Sequence, residues 1–326
     1  MSREIDAMQW TKWAQCVFAV VVLAVAVSCR TSLDPTADSS QDFADPQAAG
    51  AALMAALKSD DRHALTEVLG GEAGPLMTSG DPIDDERERR NFIAAYQLSH
   101  RWSSSSPGTA VLEIGENSWP FPIPLVEHDD HWHFDLEAGE SEILNRRIGR
   151  NELASIQACL AFVDAEREYY QRNPQGRATP GYARFILSSD GEKNGLYWKS
   201  SGGEAPSPLG WAYAAAASQG YSPAHAKAQP FHGYLYRVLY EQGSHAPGGA
   251  FSYVQGDEMT RGFALVAWPA RYGSSGVTTF LVNQVGVVYE KDLGSDTEQL
   301  AGSLASFDPD ETWTVVSQEE TALPGS

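Results

Sequence analysis

Apolar residues recur at helical spacing from Pro46 to Lys58, where Ala49, Leu53, Met54, Ala56 and Leu57 form a largely continuous stripe and Asp45 stands ready as N-cap before Pro46. Asp60 to Leu69 repeats the pattern with Leu65, Val68 and Leu69 until Gly70-Gly71 stops it. A third helix is expected over Asp84 to Trp102, with Phe92, Ile93, Tyr96 and Leu98 inward. After Ser103-Ser104-Ser105-Ser106-Pro107-Gly108 the period shortens to two, predicting short antiparallel strands at Ala110 to Ile114, Trp119 to Val126 and His131 to Asp135. Pro120, Pro122 and Pro124 alternate, so their missing N–H groups share one edge, which suits an edge strand or a rigid rim.

A longer helix is expected to open at Gly149-Arg150-Asn151-Glu152 and run to about Arg172, with Leu153, Ile156, Leu160, Val163 and Tyr170 at helical spacing. Strands follow at Tyr234 to Tyr240, Gly262 to Trp268, Val277 to Val282 and Val285 to Glu290. Asn283-Gln284-Val285-Gly286 is a hairpin signal, and Ala267 to Gly276 is a long turn joining two strands. The expected fold class is α+β, helices packed on antiparallel sheets, with folded regions over 43–145 and 146–318 and a tail over 319–326. Three helices before a sheet ending in Trp132-x-Phe134-Asp135 resemble the roll of the nuclear-transport-factor-2-like (NTF2-like) superfamily, and the helix-then-meander order of the second half is similar to pilin globular domains.

The N-terminal segment sets the address. From Cys16 to Ser28 the chain is unbroken apolar or small, too short for a comfortable membrane span and suited to a signal-peptide core. Ala26-Val27-Ser28-Cys29 resembles a bacterial lipobox, so residues 1–28 are expected to be removed and Cys29 to carry lipid, followed by a tether over 29–42. Ala26 stands where Leu is usual, and Glu4 and Asp6 offset Arg3 and Lys12. The expected location is the bacterial envelope, lipid-anchored on the periplasmic or extracellular face and at the outer membrane in a diderm cell. With Cys29 acylated only Cys159 is left, which leaves no intramolecular disulfide.

Lys+Arg 23 against Asp+Glu 43 gives a net charge of −20, which opposes phosphate backbones and argues against nucleic acid as partner. Three blocks carry a family resemblance: Glu140-x-Glu142-Ile143-Leu144-x-Arg146-Arg147-Ile148-Gly149-Arg150-Asn151-Glu152-Leu153, Gly262 to Ala270, and Val287 to Gly294 continuing through Phe307-Asp308-Pro309-Asp310. With Trp119 to Leu125, they resemble the bacterial domain of unknown function 2950 (DUF2950) family over about residues 43 to 318. The resemblance implies an exported, usually envelope-associated bacterial protein without an assigned activity.

Candidate chemistry is sparse. His232, Arg237, Glu241 and His245 surround one strand beside the Gly-rich loop His245 to Gly249, the best polar cluster in the chain and a candidate binding or hydrolytic cleft. No Gly-x-Ser-x-Gly elbow, phosphate loop or His-Glu-x-x-His helix is present, and no catalytic residue, metal or cofactor is assigned. His128, His131 and His133 read as a solvated strand face rather than as zinc ligands, and Glu290, Lys291 and Asp292 as a charged strand end. Arg146, Arg147, Arg150 and Glu152 sit where the two regions meet and are expected to form junction salt bridges with Glu140, Glu142 or Glu152, an anion site being the sharper alternative. Tyr197, Trp198, Trp211, Tyr213, Tyr234, Tyr236 and Tyr240 read as core or cross-strand packing, with sugar stacking as the alternative. The preferred function is a non-enzymatic envelope scaffold held to the membrane by its lipid and meeting an envelope protein partner. The alternative is an envelope hydrolase or transferase acting on cell-wall or carbohydrate material.

Overall fold

The computed structural model describes residues 40–317 apart from 72, 74–77, 201–202 and 211–229. The leader, Cys29, most of the tether, Trp211, Tyr213 and the expected tail lie outside the described residues.

Among the described residues three helices come first: α1 (Pro46–Ser59), α2 (Arg62–Leu69) and α3 (Pro82–Leu98). Each starts at an aspartate, Asp45, Asp61 or Asp81, whose carboxylate accepts from backbone N–H groups of the first turn. An antiparallel sheet follows in the order β1 (His100–Ser106), β2 (Thr109–Ile114), β4 (Leu125–His128), β5 (His131–Phe134), with the two-residue β3 (Trp119–Pro120) also paired to β2. Leu53, Leu57, Leu65 and Leu69 from the helices meet Leu112, Leu125 and Phe134 from the sheet in one core. The break between β3 and β4 matches the prolines, which leave no N–H to donate at 122 and 124.

Two expectations change here. The serine run forms strand instead of loop, because Trp102, Ser103 and Ser104 pair with Leu112, Val111 and Ala110. Helix α3 therefore ends at Leu98, which is 65% exposed instead of inward.

The longest helix, α4, spans Leu136–Arg172 and begins well before Gly149. Asp135 caps it by accepting from Ala138 N–H at 3.1 Å, and Asn173 closes it in the left-handed conformation. Residues 145 and 146 therefore lie inside a continuous helix, and Arg146, Arg147 and Arg150 are mid-helix, where no N-terminal dipole opposes them. Gly139 within it passes so close to β4's approach that an added Cβ would lie 2.8 Å from the Ile123 Cα. The C-terminal part of α4 packs Ile156, Cys159, Phe162 and Val163 into a second core, whereas Leu153 and Tyr170 turn outward.

After a parallel pair, β6 (Phe185–Leu187) with β7 (Gly195–Tyr197), the chain enters an antiparallel meander. Its order is β8 (Tyr234–Leu239), β13 (Ala264–Pro269), β14 (Thr278–Asn283), β15 (Val288–Asp292) and β16 (Thr314–Val315), read from one edge to the other. Between β8 and β13 lie two short hairpins, β9 (Glu241–Gln242) with β10 (Phe251–Ser252) and β11 (Val254–Gln255) with β12 (Glu258–Met259). Every residue of β13 is buried, since α4 covers one face of the sheet and the short α5 (Thr297–Ser303) with Phe307 lies against the other. The chain is thus α+β, with helices on antiparallel sheets; among the described residues no helix is long and apolar enough to cross a membrane.

Candidate functional site

The residues grouped around β8 do not converge. His232 precedes the strand and His245 follows it, and a six-residue strand alone spans about 20 Å. The His232 ring lies 3.9 Å from Asp84 and is held below its ordinary pKa by burial and then by the charge of Arg87. Arg237 leaves toward α5 and donates to the carbonyls of Ala301, Gly302 and Leu304 at 3.0, 3.2 and 2.7 Å. That is the work of a helix C-cap, with the cation placed at the negative end of the dipole. The Glu241 side chain is exposed, while its backbone carbonyl accepts from Phe307 N–H.

His245 makes the closer carboxylate pair of the two histidines. Its N–H and Nδ1 meet the two oxygens of Asp308 at 2.7 and 3.0 Å, and that bond raises the imidazole pKa. The same carboxylate fills the space a side chain at 243 would need, since a Cβ there would lie 2.2 Å from Asp308 Cγ. The pair locks an exposed loop; no hydroxyl or thiol is bonded to the imidazole among the described residues.

Other candidates have similar structural partners. Lys291 donates to Thr312 Oγ1 at 2.6 Å, and Asp292 accepts from Tyr272 Oη and Gly294 N–H. His131 Nδ1 meets the Asp129 carbonyl at 2.8 Å, and among the described residues no three potential metal ligands gather.

The junction arginines differ from one another. Arg146 bonds Glu142 at 2.6 Å and the Pro120 carbonyl at 2.9 Å, with its guanidinium 4.8 Å from the centre of the Trp119 ring. Arg150 pairs with Glu88 of α3 at 3.1 Å, a partner the sequence order does not suggest. Arg147 is buried and donates to the Thr78 carbonyl at 3.2 Å and Ser274 Oγ at 3.3 Å. Glu152 makes no salt bridge among the described residues: its Oε1 accepts from Val277 and Thr278 N–H, both at 3.0 Å, and so sets the start of β14.

Arg147, Asn151 and Ser155 stand four apart on one face of α4, and all three are buried. Asn151 Nδ2 donates to the Ser275 carbonyl at 2.8 Å, and Ser155 Oγ meets Tyr236 Oη at 3.1 Å. Across this polar stripe Asp81, itself buried, accepts from Gly233 N–H at 3.3 Å while capping α3. The signal for it was present as polar residues at i, i+4 and i+8 in a helix with an apolar flank. Asn151→Ala is expected to strand the buried Ser275 carbonyl and cost about 2 kcal/mol, measured by urea unfolding.

Beside the stripe lies a cleft of about 1010 Å3 bounded by α1, α3, the Phe121–Ile123 segment and the first half of α4. Leu53, Leu57, Phe92, Phe121, Ile123 and Ile143 make its apolar lining. Arg146, Arg147, Arg150 and Arg271 stand along it, with Asp84, Asp85 and Glu88 of α3. Burial, then the positive charges of Arg150 and Arg271, lower the Arg147 pKa, while Asp85 opposes that shift. Sequence reading treated the apolar members as core only, because a stripe that lines a cleft and one that fills a core have the same period.

The family model described as Protein of unknown function (DUF2950) matches residues 40–316. The chain belongs to this family. The DUF2950 match runs through both cores, the polar stripe and the cleft residues alike. No curated protein and no solved structure matches the chain.

Proposed function

We propose that this is an exported envelope lipoprotein, anchored through Cys29, whose folded body is a non-enzymatic binding scaffold working through the cleft beneath α3. The observation that carries the reading is the cleft itself: large, apolar-lined and edged by guanidinium groups, with no nucleophile-and-base pair among its lining residues. The lipobox-like Ala26-Val27-Ser28-Cys29 supports the anchor. A hydrolase or transferase built on His232, Arg237, Glu241 and His245 is disfavoured, since each of the first, second and fourth is engaged with a different structural partner.

Two variants of the tagged full chain test the reading in envelope fractions. Cys29→Ala is expected to move the protein from the membrane pellet to the soluble envelope fraction. Trp119→Glu, at an exposed aromatic on the cleft edge, is expected to abolish recovery of a stoichiometric protein or small-molecule partner that the wild type brings down. Turnover of wall fragments by the purified chain, with nothing recovered, would reverse the ranking.

A further inference from the structure

The arginine group is unusual for this chain. With a net charge of −20, a local gathering of guanidiniums runs against the composition and against the field of the whole molecule. The neighbouring carboxylates are already engaged. Asp60, Asp84, Glu86 and Glu88 pair with Arg89, Arg87, Arg90 and Arg150, while Asp85 accepts from Ser79 N–H at 2.9 Å and lends its charge to Arg147. Arg271 has no ion-pair partner among the described residues, although it lines the cleft and its charge reaches Arg147.

Its position is fixed by the backbone around it. Ser275 Oγ accepts from Arg271 N–H at 2.9 Å and donates to the Arg271 carbonyl at 3.1 Å, clamping the residue at the head of its turn. Gly80, with φ of +93°, lies against the aliphatic part of the same side chain, where an added Cβ would sit 2.6 Å from Arg271 Cδ. Arg147 is held from the other side by Thr78 and Ser274. Arg147 is thus held by its side chain, and Arg271, although exposed, is held by its backbone and aliphatic stem, so both lose less freedom than unanchored arginines when an anion arrives.

We propose that the cleft binds an anionic amphiphile, its acidic head between Arg147, Arg150 and Arg271 and its hydrocarbon chain along the half-buried Phe92, Phe121 and Ile143. The proposal rests on the reading of this cleft as the binding surface. A bare anion would leave most of the cavity and all of its apolar lining unused, because about 1010 Å3 is at the upper end of what drug-sized ligands occupy. A neutral hydrocarbon would leave Arg271 without a counter-charge. Only a molecule with both parts meets both walls.

The test is calorimetric titration of the full chain carrying Cys29→Ala, purified without detergent, with dodecyl phosphate and dodecanoate below their micelle concentrations. Inorganic phosphate and dodecyl maltoside are the single-feature controls. At least one of the two anionic amphiphiles is expected to bind saturably at one per chain, each control at least about tenfold more weakly. Whichever head is preferred, phosphate or carboxylate, identifies a phospholipid-like or a fatty-acid-like source. Arg271→Gln is expected to weaken that binding about tenfold without changing the melting temperature, and Arg271→Lys to restore part of it.

Inorganic phosphate binding as tightly as dodecyl phosphate would overturn the proposal, as would dodecyl maltoside binding equally well, an unaffected Arg271→Gln variant, or no saturable binding by either anionic probe. If the amphiphiles fail while Trp119→Glu still abolishes partner recovery, the scaffold reading stands and the amphiphile falls.

Discussion

Gly276→Ala is expected to destabilise the protein by about 3 kcal/mol and to lower Tm by about 6 °C. A Cβ at 276 would lie 2.2 Å from Tyr234 Oη and 2.7 Å from two of its ring carbons. That ring cannot retreat: Tyr234 is fully buried, its hydroxyl donates to the Thr278 carbonyl at 2.9 Å, and its face packs on Phe280 with centroids 5.8 Å apart. Combining Gly276→Ala with Tyr234→Phe removes the closest contact and should recover part of the loss, a non-additivity that reports the collision directly. Gly273→Ala is the control, since that position has a φ of +73° and open space, and should cost only about 1 kcal/mol. Thermal unfolding of five chains, Tyr234→Phe alone among them, gives all these values; a Gly276→Ala protein that melts with the wild type would show that the turn is not tightly seated on Tyr234.

The second large effect is on pH dependence. Glu166 in α4 is fully buried, its Oε2 accepting from Ala183 N–H at 2.8 Å while Oε1 has no hydrogen-bond partner among the described residues. Burial pushes its pKa well above the ordinary carboxyl range, against the opposing pull of the Ala183 bond. The titratable side chains whose charges feel it are Tyr169, Tyr182 and Tyr240, all themselves raised by burial and so neutral through the same interval. The sign follows from proton counting. Above the unfolded value of about 4.3 the unfolded chain releases a proton that the folded chain retains, so stability falls as pH rises toward the folded value. Glu166→Gln keeps an acceptor for Ala183 N–H and has no proton to lose. Urea unfolding from pH 5 upward should therefore give a wild-type stability that declines relative to Glu166→Gln, by about 1.4 kcal/mol per pH unit at most. Parallel curves for the two proteins would mean that Glu166 is ionised in the fold.

What could be read from the sequence was what local chemistry decides. Asp45-Pro46 followed by Leu53, Met54 and Leu57 contains a cap, a first turn and a buried stripe within a few residues, and α1 runs from Pro46 to Ser59. The hairpin at Asn283 to Gly286 was legible in the same way, with Gly286 at a φ of +85° between β14 and β15. The early start of α4 was not. Gly139 and Gly149 lower helix propensity, and Glu137 to Arg150 shows no broad apolar stripe. That stretch is helical because Asp135 caps it and because Arg147 and Gly139 find partners far away in the chain, at Thr78, Ser274 and Ile123.

The site was legible in part for the same reason. Arg146, Arg147 and Arg150 were singled out, but Glu88, Arg271 and the apolar wall come from segments far apart in sequence and could not be joined to them by spacing. The cluster around β8 misled in the opposite direction. Nearness in sequence along an extended strand means distance in space, so His232 and His245 end at opposite ends.

The uninterrupted run of α4 from one core into the other carries a mechanical consequence. A rod of 37 residues is about 55 Å long, and bending it sharply would break backbone hydrogen bonds that no proline or bulge relieves. The two lobes are not free to swing apart like jaws, so a guest that enters the cleft should leave the backbone frame where it was.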